Sequence, residues 1–328
     1  MKAATTGIKI VITALLLGYV FYAYVDLELC LALARDVRLD LLVCLLALNL
    51  LLRFLLAGQI RLCFLPSGIR AGTMAIFKAQ QIAALYAYIL PSELAAGGIS
   101  WYLLSQASGK RAMVAVSLIY VRVVNLGAFI PLAVFALLYA PGQSVSGLSL
   151  YVGIFAGLLF CLFVPFVWKR PAVWGEALGA FLLRSVPVHK FSQRLLSANR
   201  SFWQAVTIPR QMPAGYVLGT WAAAFVIQGT GLLSLYVAMR CVNIHLPLSA
   251  VVWVGIVLVV VHTLPVTIGG TGLRELGLIY LLQTFYGVRP EAAVMLSVML
   301  VLVGVFWGGL LGGYASATLK RNPQKQVQ

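Results

Sequence analysis

Charge is what this sequence has least of. Only 10% of its 328 residues are Asp, Glu, Lys or Arg, and eight of these are acidic; a soluble domain carries about 25%. Histidine occurs three times. The five cysteines (Cys30, Cys44, Cys63, Cys161 and Cys241) are scattered with no CxxC pair, which excludes a zinc ribbon or a disulfide framework and leaves small buried hydrophobes. There is no GxxxxGK[ST] loop to cradle a nucleotide, no HExxH, no GxSxG and no paired-Asp motif. An enzyme is therefore not expected, and neither a cofactor nor a metal is called for. Ten-residue segments of alternating polarity are also missing, which excludes a transmembrane barrel.

What is present is apolar sequence, 62% of the chain. A bilayer core of about 30 Å needs roughly 20 mostly apolar residues per helix. Runs of that kind cover 8–25, 39–57, 112–140, 148–168, 214–239 and 292–317, and two interrupted stretches cover 72–108 and 248–286. Backbone polar groups in lipid need internal partners, so the runs must be helices. The first follows Lys2 and Lys9 but is long, rich in Tyr and Phe and poor in cleavage signals, so it reads as an uncleaved helix. The expectation is an all-α polytopic membrane protein, one membrane domain over 1–328. It has about six full spans plus two broken or re-entrant helical hairpins.

The formal charge is +16. No aromatic-interleaved basic motif accompanies it, so no nucleic acid is expected; the excess reads as the positive-inside rule. Acidic side chains outnumber basic ones in the first loop (Asp26, Glu28, Arg35, Asp36, Arg38, Asp40), whereas Arg61, Arg70, Lys110, Arg111, the 169–213 segment and Lys320, Arg321 and Lys325 are basic. Placing the basic pieces in the cytoplasm makes this a multi-pass protein of the cell (cytoplasmic) membrane with both termini inside. It also requires 72–108 to enter and leave from the cytoplasmic face, and 248–286 from the outer face, unless each crosses twice. Segment 169–213 mixes apolar and basic positions. It reads either as amphipathic helices on an anionic leaflet or as an ordinary cytoplasmic loop.

The interrupted stretches resemble each other. One contains Leu90-Pro91-Ser92-Glu93-Leu94-Ala95-Ala96-Gly97-Gly98, the other Leu264-Pro265-Val266-Thr267-Ile268-Gly269-Gly270-Thr271-Gly272. Each continues into an apolar run, a Gly-containing basic turn and a long span. Proline breaks a helix and glycine frees the backbone. We read Pro91, Gly97, Gly98, Pro265, Gly269, Gly270 and Gly272 as tips of two hairpins inside the membrane. Matched breaks in two halves, here 39–140 and 214–318, point to a transporter's binding site, and the opposite mouths make the repeat inverted.

Ionisable groups within apolar runs cost about 2.5–3.5 kcal/mol each on insertion scales. The candidates for contact with a lipid headgroup are Arg122, Arg274, Glu275, Glu93, Asn125 and His262. The arginines suit a phosphate, and the half-helices starting near Gly98 and Gly270 would add N–H donors. The alternative is structural pairing, such as Glu93 with Arg122 or Arg274. Being adjacent, Arg274 and Glu275 are expected to point in different directions. Gly304, Gly308 and Gly312 line one face of the last span. That face meets either another helix of this chain or a second copy, which would make a homodimer.

Leu90-Pro91-Ser92, Gly97-Gly98, Arg122 and Leu264-Pro265 through Gly269-Gly270-Thr271-Gly272-Leu273-Arg274-Glu275 resemble the transmembrane region of lysylphosphatidylglycerol synthases and the flippase-like membrane proteins related to it. The first motif departs from the pattern: Ser100-Trp101 stands where an Arg is usual, and Asn125 where an acidic residue is frequent. The resemblance implies handling of an anionic or zwitterionic lipid, without the synthase domain that would need a few hundred further residues. Membrane lipids are the implied partners. The expected function is translocation of a phospholipid or polyprenyl-phosphate-linked lipid. The alternative is a membrane subunit presenting a lipid-linked substrate to a separate lipid-modifying enzyme or glycosyltransferase.

Overall fold

A computed structural model describes residues 18, 35–89, 93–138, 157, 160, 161, 163–166, 168–184, 189–263 and 272–321. Among the described residues every regular element is helical. In order these are α1 (Leu39–Phe64), α2 (Thr73–Ile89), α3 (Glu93–Ser108), α4 (Arg111–Gly127), α5 (Phe129–Leu138), α6 (Lys169–Arg184), α7 (His189–Val206), α8 (Ile208–Gln211), α9 (Ala214–Cys241), α10 (Leu248–Thr263), α11 (Leu273–Tyr286) and α12 (Pro290–Arg321).

Among the described residues four helical stretches are long and apolar enough to cross a membrane: Leu39–Phe64, Arg111–Leu132, Ala214–Cys241 and Pro290–Thr318. Of the other two expected spans, 8–25 lies outside the described residues but for Gly18, and 148–168 is described only in part. The expected run 112–140 is divided at Ala128 into α4 and α5. Pro131 explains the division, since it has no N–H for the Gly127 carbonyl.

Helices α1 and α9 pack along their length and run antiparallel. Leu52 meets Gly231 at one level and Leu62 meets Gly219 at another, with gaps of 3.6 and 3.8 Å from a methyl to the position a Cβ would occupy. The first span of each half therefore points the opposite way. α1 also has the charges a helix dipole favours, Asp40 in the first turn and Arg61 in the last.

The two hairpins follow the same inversion. The mouth of α2–α3 is tied to the C-terminal end of α1: Arg61 Nη1 donates to Thr73 Oγ1 at 3.0 Å, and Lys110 Nζ to the Gly68 carbonyl at 2.9 Å. The mouth of α10–α11 sits at the other end, where Leu246, Tyr286 and Val288 pack in one apolar cluster with Leu45 and Val242. The arms have 17, 16, 16 and 14 residues. At 1.5 Å per residue each is about 21–26 Å long, short of a bilayer core.

Each hairpin packs on the closing helix of the opposite half. α2 lies on α12, and α10 lies on α5, where Val252, Trp253 and Ile256 meet Phe129 and Leu132. A matched pair of hydrogen bonds accompanies the exchange. Arg53 of α1 donates to the Gly304 carbonyl of α12 at 3.1 Å, and Gln228 of α9 donates to the Asn125 carbonyl of α4 at 2.7 Å. Each of these four residues stands equally far from the start of its own helix, so the two bonds are related by the inversion.

The glycine face of α12 belongs to this packing. Gly304, Gly308 and Gly312 are buried, and a Cβ on Gly312 would stand 2.5 Å from the Gln81 carbonyl oxygen and 2.8 Å from Leu85 Cβ. Of the two readings of that face, contact with another helix of this chain is the one observed. A homodimer through the same glycines would require α2 to move away. Segment 169–213 forms α6, α7 and α8, with α6 packed on α7 and α7 on α4. Arg210 of α8 donates to the Pro165 carbonyl, and burial lowers its pKa from the ordinary value.

Candidate functional site

The expected site residues fall into three groups. Arg274 and Glu275 form the first. They do not diverge, as adjacency on a helix had suggested: both are buried, at 6% and 5% exposure. Arg274 Nη2 donates to Glu275 Oε1 at 2.5 Å and Nε to Ser297 Oγ at 2.8 Å, while Ser297 Oγ donates to Glu275 Oε1 at 2.6 Å. The other carboxylate oxygen, Oε2, accepts the Gly272 N–H at 2.5 Å. The length of the arginine side chain lets neighbouring residues curl onto one serine of α12. Gly272 has a φ of 87°, which favours glycine. The result is a closed ion pair that caps α11 and fastens it to α12.

Arg122 forms the second group and differs in every respect. It is exposed, and no described side chain or carbonyl hydrogen-bonds to it. About 17 Å of helix separates it from Arg111, which puts it well inside the span. A Cβ on Gly97 would lie 3.8 Å from Arg122 Nη2, so the guanidinium rests against the bare backbone of α3. That helix starts at Glu93, so Gly97 and Gly98 stand inside it rather than ahead of it. The departure from the expected start near Gly98 follows from the run Glu93-Leu94-Ala95-Ala96, all good helix formers. Gly97 thins the helix where Arg122 approaches, whereas nothing lies within 4 Å of a Cβ on Gly98.

Asn125 belongs to the third group. Its side chain does not join Arg122 but accepts from Gln59 Nε2 at 2.9 Å. Gln59 also donates to the Thr220 carbonyl at 3.1 Å, joining α1, α4 and α9. Pro91, Pro265, Gly269 and Gly270 lie outside the described residues, as do the side chains of Glu93 and His262. Lys78 is exposed on α2. Ser100, where an Arg was noted as usual, accepts from Gln80 Nε2 at 2.9 Å, and Trp101 Nε1 donates to the Arg111 carbonyl at 2.9 Å.

Attention to ionisable residues alone missed Ser297, Gln59, Gln81 and Gln228. Their signal was available: neutral polar residues in apolar runs, which in lipid must find partners. Gln81 Oε1 accepts from Arg53 Nη1 at 2.5 Å, and Asn49 Oδ1 from Arg53 Nε at 3.0 Å. Among the described residues no group of His, Cys, Asp or Glu could hold a metal ion.

These features define a polytopic helical membrane protein with an inverted pair of hairpins and an arginine presented inside the span. Residues 7–312 match the family described as the lysylphosphatidylglycerol synthase TM region, and the chain belongs to that family. No curated protein and no solved structure matches it.

Proposed function

We propose that this chain translocates a phosphate-bearing lipid, a phospholipid or a polyprenyl-phosphate-linked one, across the cytoplasmic membrane. The observation that carries the reading is Arg122, exposed within a membrane span and set against the glycine backbone of α3. A guanidinium there costs a few kcal/mol. A phosphate offsets that cost with two parallel charge-assisted hydrogen bonds. The headgroup would pass Arg122 while its chains stay in lipid, and no covalent bond is broken. The Arg274–Glu275–Ser297 cluster holds the second hairpin to α12 and takes no part in binding. With no nucleotide loop in the sequence, the driving force is an ion gradient or the lipid gradient.

The test is reconstitution of purified protein in liposomes carrying headgroup-labelled phosphatidylglycerol or a labelled polyprenyl phosphate. Protein should expose inner-leaflet label to a membrane-impermeant quencher; protein-free liposomes should not. If neither lipid moves, and the protein instead co-purifies with a soluble transferase, the reading gives way to a subunit that presents a lipid-linked substrate.

A further inference from the structure

Asn125 is gripped from two helices at once. Gln59 of α1 donates to its side-chain oxygen at 2.9 Å, and Gln228 of α9 donates to its main-chain carbonyl at 2.7 Å. The same Nε2 of Gln59 reaches the Thr220 carbonyl of α9 at 3.1 Å. Two residues further on, Trp221 of α9 covers Gly127, where a Cβ would stand 3.0 Å from the indole. Asn125 follows Arg122 by three residues, about 4.5 Å along α4 and about 60° around it. The clamp therefore closes on the turn that carries Arg122.

The rest of α4 does little to fix its rotation. Its buried face is mostly Val114, Val116, Val121, Val123 and Val124. Alike side chains distinguish poorly between neighbouring rotations, whereas a hydrogen bond is directional. The helix also ends at Gly127, and Pro131 has no N–H for the Gly127 carbonyl. A turn of about 30° would carry a group about 6 Å from the axis through about 3 Å, as much as the full length of a guanidinium–phosphate hydrogen bond. Gln59 is not the residue that stability alone would select. It is 1% exposed, and among the described residues nothing donates to its Oε1. An acceptor left unpaired in the interior costs stability. What the side chain supplies is donors, directed at Asn125 and Thr220. We propose that Gln59 and Gln228 are positioning residues for Arg122. By holding Asn125 they set the rotation of α4 at which the guanidinium lies on Gly97 and faces the passing headgroup. Their role rests on Arg122 being the headgroup site. Because Gln228 belongs to the second half, the guanidinium is also registered against the opposite half of the repeat.

Adjacent cysteines report the rotation. In the full-length chain freed of its five cysteines, Arg122→Cys and Val121→Cys are introduced one at a time. The proteins are reconstituted in liposomes and treated with a small cationic methanethiosulfonate. Arg122 is exposed and Val121 is 2% exposed, so position 122 should react at least tenfold faster. Gln59→Met or Gln228→Met, close in volume to the natural residue, should reduce that ratio at least fivefold, while Gln106→Cys at the mouth of α2–α3 keeps its rate. In proteins that retain Arg122, the same substitutions should raise the phosphatidylglycerol fraction needed for half-maximal translocation at least threefold and leave the maximal rate within twofold. An unchanged ratio in both variants would overturn the proposal. A fall matched by a change at Gln106→Cys would overturn it too, because the whole bundle would have loosened. So would a lower maximal rate at an unchanged half-saturating fraction. The ratio is measured without lipid movement, so its failure is distinct from a failure of the translocation reading.

Discussion

A guanidinium inside a membrane must be solvated by something, and among the described residues Arg53, Arg274 and Arg122 find different answers. Arg53 uses Asn49, Gln81 and the Gly304 carbonyl. Arg274 uses Glu275 and Ser297. Arg122 rests on Gly97 and is open. Substitutions should separate these roles. Glu275→Gln leaves Arg274 buried without its charge partner, and should lower stability by about 3–5 kcal/mol. Replacing both together, Arg274→Met with Glu275→Leu, should restore much of that loss. Thermal unfolding in detergent distinguishes the two; equal losses would mean the ion pair is not what is being removed. Ser297→Ala should cost about 1–3 kcal/mol, as expected for a buried partner left unsatisfied. Charge was legible at this scale because Arg and Glu stand out in apolar sequence. The pairing was not, because periodicity places Cα atoms and says little about where a long arginine side chain ends.

At the scale of helices, the breaks were legible and their positions only partly so. Leu-Pro followed by Gly-Gly marked two interruptions, yet α3 begins at Glu93, ahead of its glycines, because helix propensity continues from Glu93 through Ala96. The break at Ala128 went unread: the apolar run from Val114 to Ala140 hid Pro131. Close packing makes a sharp contrast between two neighbouring glycines of α12. Gly312→Ala drives a methyl into the Gln81 carbonyl and Leu85, whereas nothing lies within 4 Å of a Cβ on Gly309. Gly312→Ala should lose about 1–3 kcal/mol through overpacking and Gly309→Ala should be neutral or slightly stabilising. Melting curves of the two variants, measured side by side, check this; equal behaviour would deny the α2–α12 crossing.

Over the whole molecule, the inversion is carried by antiparallel α1 and α9, by hairpins that open at opposite ends and by the matched bonds of Arg53 and Gln228. The charge pattern alone suggested the opposite mouths. The exchange of hairpins between halves could not be read from it, because which helix packs on which depends on contacts far apart in sequence. In a chain freed of its five cysteines, cysteines placed at Gln106 and Gln283, both exposed near the two mouths, should react with an impermeant maleimide from opposite sides of the membrane. Reaction from one side only would refute the inversion. The central claim, that a lipid phosphate passes Arg122, is tested most directly by translocation rates in proteoliposomes. Phosphatidylglycerol is compared with a neutral glycosyl diacylglycerol of the same chains, in the natural protein and in Arg122→Ala. We expect the natural protein to move phosphatidylglycerol at least tenfold faster than the neutral lipid, and Arg122→Ala to abolish that preference while keeping its melting temperature. An unchanged rate and preference in Arg122→Ala would contradict the account.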